Sequence, residues 1–208
     1  MAGTLASLDI QFNKAEWRAL ERTLAAIPNG ANKALCTALN DTGKTLERRI
    51  VGGINKVVNV KKKDIRRFIH LHRATWHRLI ASITLTGGKD SRVPLFQFGA
   101  RQTKRGVSYK IERAGGRQMA EGAFLATMVL TSMHRGAFRR SPYWTHRYPR
   151  GGSRTGQKHG LKIMELKGPS VVSVYQRHLG PKTIADGGEL LRKNVDRQIE
   201  RLLKKGAA

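Results

Sequence analysis

The sequence predicts an α+β fold: a small, mainly antiparallel sheet packed by long N-terminal and C-terminal helices, with one long basic loop. Two patterns predict it. Near the ends, apolar residues recur at helical spacing, with Leu35, Leu39, Thr42, Leu46, Ile50 and Ile54 early and Leu191, Val195, Ile199 and Leu202 late. In the middle the period drops to two. His77, Leu79, Ala81, Ile83 and Leu85 alternate with Arg78, Ile80, Ser82 and Thr84, and Val107, Tyr109 and Ile111 share a face. The length, 208 residues, suits a single domain with a real core. Its expected divisions are a helical part over 1–72, a β-meander over 73–170 holding a basic loop at 133–160, and a helix over 183–206.

Leu8, Ile10 and Phe12 alternate and suit an edge strand. Asn13, with Glu16 three residues on, resembles a capping box. Trp17, Leu20, Leu24 and Ile27 then follow at helical spacing until Pro28-Asn29-Gly30 stops the helix. The second helix is expected over 31–54, with Gly52-Gly53 loosening its end. Ile65, Phe68 and Ile69 give a third, short helix over 61–70. Three strands should form the meander: 76–86, 94–98 and 107–112. Residues 123–130 read as a further buried strand, and residues 161–166 as another. Ser170 can cap a short helix to about residue 176. Asp186, with Glu189 three residues on, is the expected cap of the last helix. The seam of that helix suits the core or a neighbouring subunit, the core being the simpler reading.

Charge is the strongest functional signal. Forty Lys and Arg against fourteen Asp and Glu give a net +26. A compact domain with that charge repels itself, so a polyanion is the expected neighbour. The excess is local: residues 48–110 hold sixteen Lys and Arg against Asp64 and Asp90, and residues 122–161 hold seven against no acid. Lys61, Lys62 and Lys63 stand in the first turn of the third helix, where exposed cations oppose the helix dipole by about 0.3–1 kcal/mol each. Contact with an anion would explain them, as would a tolerated, solvated run. With Arg66 and Arg67 they form one candidate surface. A second is the segment 93–111, read as two strands joined by a loop that carries Arg101, Lys104 and Arg105 and no acid. The bland alternative there is a solvated hairpin tip. Arg135, Arg139 and Arg140 are further candidates, followed by Tyr143, Trp144 and Tyr148 interleaved with basic residues, a composition suited to phosphate contact and base stacking.

The sequence carries no familiar catalytic or metal-binding pattern. The single cysteine, Cys36, excludes an internal disulfide framework and reads as a small core residue. His70, His72 and His77 cluster without an acid or cysteine to complete a metal set, and the basic region that holds His134, His146 and His159 has no carboxylate for a nuclease metal. The chain therefore reads as a non-enzyme that needs no cofactor. No apolar run approaches the ~18 residues of a membrane span, and the N-terminus does not read as a signal peptide. The link over 52–60 is too long for a helix-turn-helix, so base-specific reading is not expected.

Several segments recur together in a known order. They are Ala38-Leu39-Asn40-Asp41-Thr42-Gly43; Val60-Lys61-Lys62-Lys63-Asp64-Ile65-Arg66-Arg67-Phe68-Ile69; Phe98-Gly99-Ala100-Arg101-Gln102 with Gly106-Val107; Gly122-Ala123-Phe124-Leu125-Ala126-Thr127-Met128; His134-Arg135-Gly136; and Glu165-Leu166-Lys167-Gly168-Pro169-Ser170-Val171. In this order they resemble the minor tail protein Z family of tailed bacteriophages and prophages, over residues 30–175. The loop over 139–160 departs from the family in length and aromatic content. The resemblance implies a structural virion protein that completes the tail at its head-proximal end and joins it to the head. It implies a ring, six-fold to match the tube, with tail terminator or tube proteins and head-completion or connector proteins as its partners. Genomic DNA would lie in the channel and be held without base reading. The location implied is the head–tail junction of the virion, after assembly in the host cytoplasm. The alternative without the resemblance is a non-specific nucleic-acid-binding protein of the cytosol.

Overall fold

Alternating and helical apolar patterns build the first three elements of the computed structural model, which describes residues 6–10, 14–25, 27, 29–87, 92–128, 134–141 and 163–206. They are β1 (Ala6–Ile10), α1 (Lys14–Thr23) and α2 (Gly30–Val57). The α2 helix has 28 residues, so it is about 42 Å long. Leu35, Leu39, Leu46, Ile50 and Ile54 are all buried along its length. Thr42 is the polar member of that stripe and is fully buried. Its hydroxyl donates to the Ala38 carbonyl at 2.7 Å and accepts from Asn194 Nδ2 at 2.9 Å, so its burial leaves nothing unsatisfied. The pair Gly52-Gly53 does not end the helix. Gly53 instead admits Leu179, whose methyl lies 2.7 Å from where a Cβ would stand.

The chain divides into two compact units. The first combines Met1–Asn55, Lys62–Ser91 and Ser170–Ala208; the second combines Lys56–Lys61 and Arg92–Pro169. In the first unit α3 (Lys62–Arg66) leads into β2 (Ile69–His72), and β3 (Ala81–Leu85) completes an antiparallel sheet of order β1-β3-β2. Leu8 and Leu71 both lie opposite Ile83, so one central strand sets both registers. Ala81, Ile83 and Leu85 are buried and face the core. The third helix is therefore shorter than the expected 61–70. From Ile69 onward buried and half-buried Ile69 and Leu71 alternate with exposed His70 and His72, and the period of two wins.

Two helices close the first unit: α4 (Val171–His178), capped by Ser170 Oγ accepting from Ser173 N at 3.1 Å, and α5 (Gly180–Gly206). The last helix begins six residues before Asp186, so Asp186 is not its cap. Pro181 lies in the first turn, where its missing N–H costs nothing, and Thr183 N already bonds Leu179 O at 2.9 Å. Asp186 instead pairs with Arg49 at 3.0 Å, an exposed pair of small energetic value. The contacts Arg49–Asp186, Thr42–Asn194 and Asp41–Arg197 run in opposite chain directions, so α2 and α5 lie antiparallel. Leu191 and Val195 of the seam are buried within this unit, which matches the core reading.

Asn40 fixes the loop that joins β2 to β3. Its amide donates to Ala74 O at 3.1 Å and its carbonyl accepts from Ala74 N at 2.9 Å, copying a strand pair with one side chain. Asn40→Ala removes both partners and is expected to cost about 1–3 kcal/mol, read as a lower midpoint in urea unfolding with an unchanged slope. Beside it Cys36 is buried. Burial pushes its thiol up from the ordinary value, against a smaller opposite pull from the Asn40 amide.

Among its described residues the second unit holds the end of α2, one 3-10 turn and otherwise strands. Its strands are β4 (Arg92–Pro94), β5 (Arg101–Thr103), β6 (Gly106–Tyr109), β7 (Gln118–Glu121), β8 (Ala123–Met128), β9 (His134–Arg140), β10 (Ile163–Glu165) and β11 (Lys167–Ser170). Among the described residues they form sheets β11-β4, β5-β6-β7 and β10-β9-β8. Residues 57–59 add a short antiparallel bridge at 111–113. Among its described residues Val58, Val60, Val93, Leu95, Phe98, Val107, Ala123, Ala137 and Phe138 are the buried apolar ones.

The expected meander over 76–112 is corrected here. Residues 81–85 belong to the sheet of the first unit, and residues 106–109 pair with β5 and β7. Between them Leu95–Gln97 form the 3-10 turn, closed by Phe98 N to Leu95 O at 3.1 Å. Pro94 supplies no donor for a ladder, and Leu95 and Phe98, three apart and both buried, suit one face of a three-residue turn. The α+β class stands, but it is realised with several small antiparallel sheets instead of one.

Candidate nucleic-acid interface

The hairpin β5–β6 is built around its two-residue tip, Lys104-Arg105, because Thr103 lies directly opposite Gly106. Four residues of the basic loop expected over 99–106, Arg101–Thr103 and Gly106, are thus strand. Arg101 stands on β5 opposite Ser108, and Arg101, Lys104 and Arg105 are all exposed. The inner face is held by Gln102. Its amide donates to Gly106 O at 3.2 Å and Thr103 O at 3.1 Å, and its carbonyl accepts from Leu125 N at 2.8 Å on β8. Val107 beside it is fully buried. The hairpin therefore projects its cations from a fixed base.

The basic loop expected over 133–160 begins as a strand. In β9, Arg135 and Arg139 lie opposite Thr127 and Ala123, while Arg140 falls on the other face by alternation. All three are exposed. The Arg135 guanidinium sits 4.8 Å above the Phe96 ring, which orients it without neutralising it. His134 and Glu165 approach to 2.7 Å, so an acid from β10 does reach this region after all. Tyr143, Trp144, Tyr148, His146 and His159 lie outside the described residues.

Lys61, Lys62, Lys63, Arg66 and Arg67 are exposed, and Asp64 and Ile65 between them are buried. Lys61 belongs to the second unit and the other four to the first. Sequence neighbours thus fall into separate bodies. Within the first unit Lys62, Lys63, Arg66 and Arg67 lie on or next to α3; within the second, Arg101, Lys104 and Arg105 lie on the hairpin and Arg135 and Arg139 on one face of β9.

One residue absent from the sequence-based set joins the hairpin. Arg117, at the entry to β7, donates from Nε to Ser108 Oγ and from Nη2 to Gly99 O and Ser108 O, each at 2.9 Å. Among the described residues no three His, Cys, Asp or Glu side chains converge as a metal-ligand group, and no helix is long and apolar enough to cross a membrane. No family model, curated protein or solved structure matches the chain.

Proposed function

We propose that the chain is a ring-forming structural protein of a tailed-phage virion. It completes the tail at its head-proximal end and joins it to the head, its basic surfaces facing the DNA of the channel. The role is mechanical and electrostatic, with no catalysis and no cofactor. The observation that carries the electrostatic part is the hairpin. Arg101, Lys104 and Arg105 stand exposed on a base fixed by Gln102, and among the described residues none of them is paired with a carboxylate. Such groups hold phosphates and read no bases. The virion assignment is supported by the ordered resemblance over residues 30–175. The proposed partners are further copies of the chain, six to a ring, together with tail terminator or tube proteins, head-completion or connector proteins, and genomic DNA.

Electron microscopy of virions with the protein labelled, beside its native mass in solution, tests this reading. The expected result is label at the head–tail junction and a hexamer mass in the assembled neck. Absence from particles, or a position away from the junction, overturns it. Tight DNA binding by a monomer that never enters particles supports the cytosolic alternative instead.

A further inference from the structure

The outer face of the β5–β6–β7 sheet carries cations of two kinds. Directly opposed residues point to the same side of a sheet, so Arg101, Ser108 and Met119 share a face, and Thr103 joins them next to Gly106. Gln102, Val107 and Ala120 take the other side, where Val107 is buried and Gln102 reaches β8. Lys104 and Arg105 project from the tip, and Glu121 stands at that end, opposite Gly106. At the far end Arg117 is pinned across Ser108, the residue that also lies opposite Arg101.

Three features distinguish Arg117. Its acceptors are one hydroxyl and two carbonyls, all neutral, so its full charge remains available. Those bonds use Nε and both hydrogens of Nη2, which leaves the two N–H groups of Nη1 for a ligand. The side chain is exposed, yet its geometry is already set, so an anion meeting it need not order it. A planar, pre-set fork with outward donors suits the paired oxygens of a phosphodiester.

We propose that this face is a binding platform for the phosphodiester backbone of duplex DNA, with Arg117 as its fixed anchor, Arg101 beside it and Lys104-Arg105 as its exposed fringe. This rests on the DNA-facing role proposed above and adds the residue that sets the register of contact. Ser108 is a positioning residue, acting through Arg117.

The test is fluorescence anisotropy with a labelled DNA duplex over a range of salt, using the full chain and the variants Arg117→Gln, Arg117→Lys and Ser108→Ala. Arg117→Gln is expected to weaken binding and to lower the slope of log K against log salt by about 0.9, one phosphate contact. Arg117→Lys keeps the charge and the slope but does not restore affinity. Ser108→Ala keeps every charge and both carbonyl bonds of Nη2 and loses the Nε bond alone, so its slope matches wild type while affinity falls by about 2-fold, the low end of the cost of ordering a loosened side chain. If Arg117→Gln fails to fold, Arg117→Lys and Ser108→Ala decide together. Wild-type affinity for both Arg117→Lys and Ser108→Ala, with binding still lost on changing Lys104 and Arg105, overturns the platform and leaves the DNA-facing role standing. Absence of DNA binding by the wild-type chain overturns both. Variants that bind DNA normally but change the oligomer distribution assign the face to a neighbouring subunit and also overturn the proposal.

Discussion

Gly106→Ala is expected to destabilise the protein by at least about 3 kcal/mol and to lower the first thermal transition by about 6–12 °C. Gly106 adopts φ +154° at the tip of the basic hairpin, a conformation that side chains rarely take. A Cβ there would coincide with the carbonyl oxygen of Ala120 on the neighbouring strand, and Glu121 Cα stands at 3.0 Å. Both obstacles are backbone, so relief requires the β6–β7 ladder to part. The same carbonyl region carries Gln102, whose amide bonds Gly106 O, so the stitch to β8 is strained as well. Gly116→Ala is the control. Nothing lies within 4 Å of its Cβ position, and it is expected to melt within about 0.5 kcal/mol of wild type. Circular dichroism on the two variants separates these outcomes, and equal melting would mean that β6 and β7 do not pair in this register.

Reversal of three charges on the same hairpin should leave the fold intact and remove its function. Arg101→Glu, Lys104→Glu and Arg105→Glu together replace three exposed cations that make no ion pair among the described residues. The melting temperature is expected to stay near wild type. DNA affinity at low salt should fall by roughly 100-fold, because each change removes an attraction and adds a repulsion. The salt slope should drop by about 2.7, three contacts at about 0.9 each. On the proposed virion role, tails carrying the variant should fail to join heads. Joining at wild-type efficiency would make the tip an ordinary solvated turn.

The parts of this fold that were legible are those where burial and periodicity agree. The stripe of α2 could be read because its apolar positions all face one core, and Ser170 because a capping hydroxyl acts on a backbone N–H three residues away. The errors arose where two local signals competed. Asp186 followed by Glu189 has the form of a cap, but the helix is already running, and Asp186 meets Arg49 from across the chain. Residues 94–98 contain both an alternating and a three-residue pattern, and Pro94 decided between them by withholding a donor. Ile69 and His70 fall inside the expected helix over 61–70 because the alternation that marks β2 is only four residues long. At the candidate interface, sequence located the charge but could not tell a pinned cation from a loose one. Arg117 takes its place from Gly99 and Ser108, eighteen and nine residues away, and no spacing rule connects them.

The route of the chain between the two units has a consequence for modularity. The backbone passes from one to the other after Asn55, Lys61, Ser91 and Pro169, so α2 starts in the first unit and its last turn belongs to the second. Residues 57–59 supply the partner for 111–113, although thirty residues of the first unit intervene before the second resumes at Arg92. A segment cut at 92–169 would leave that partner, with the end of α2, behind on the first unit's stretch of chain. The two are interlaced in sequence, so neither can be lifted out or exchanged by a single insertion, and recombination between related chains must carry them as one.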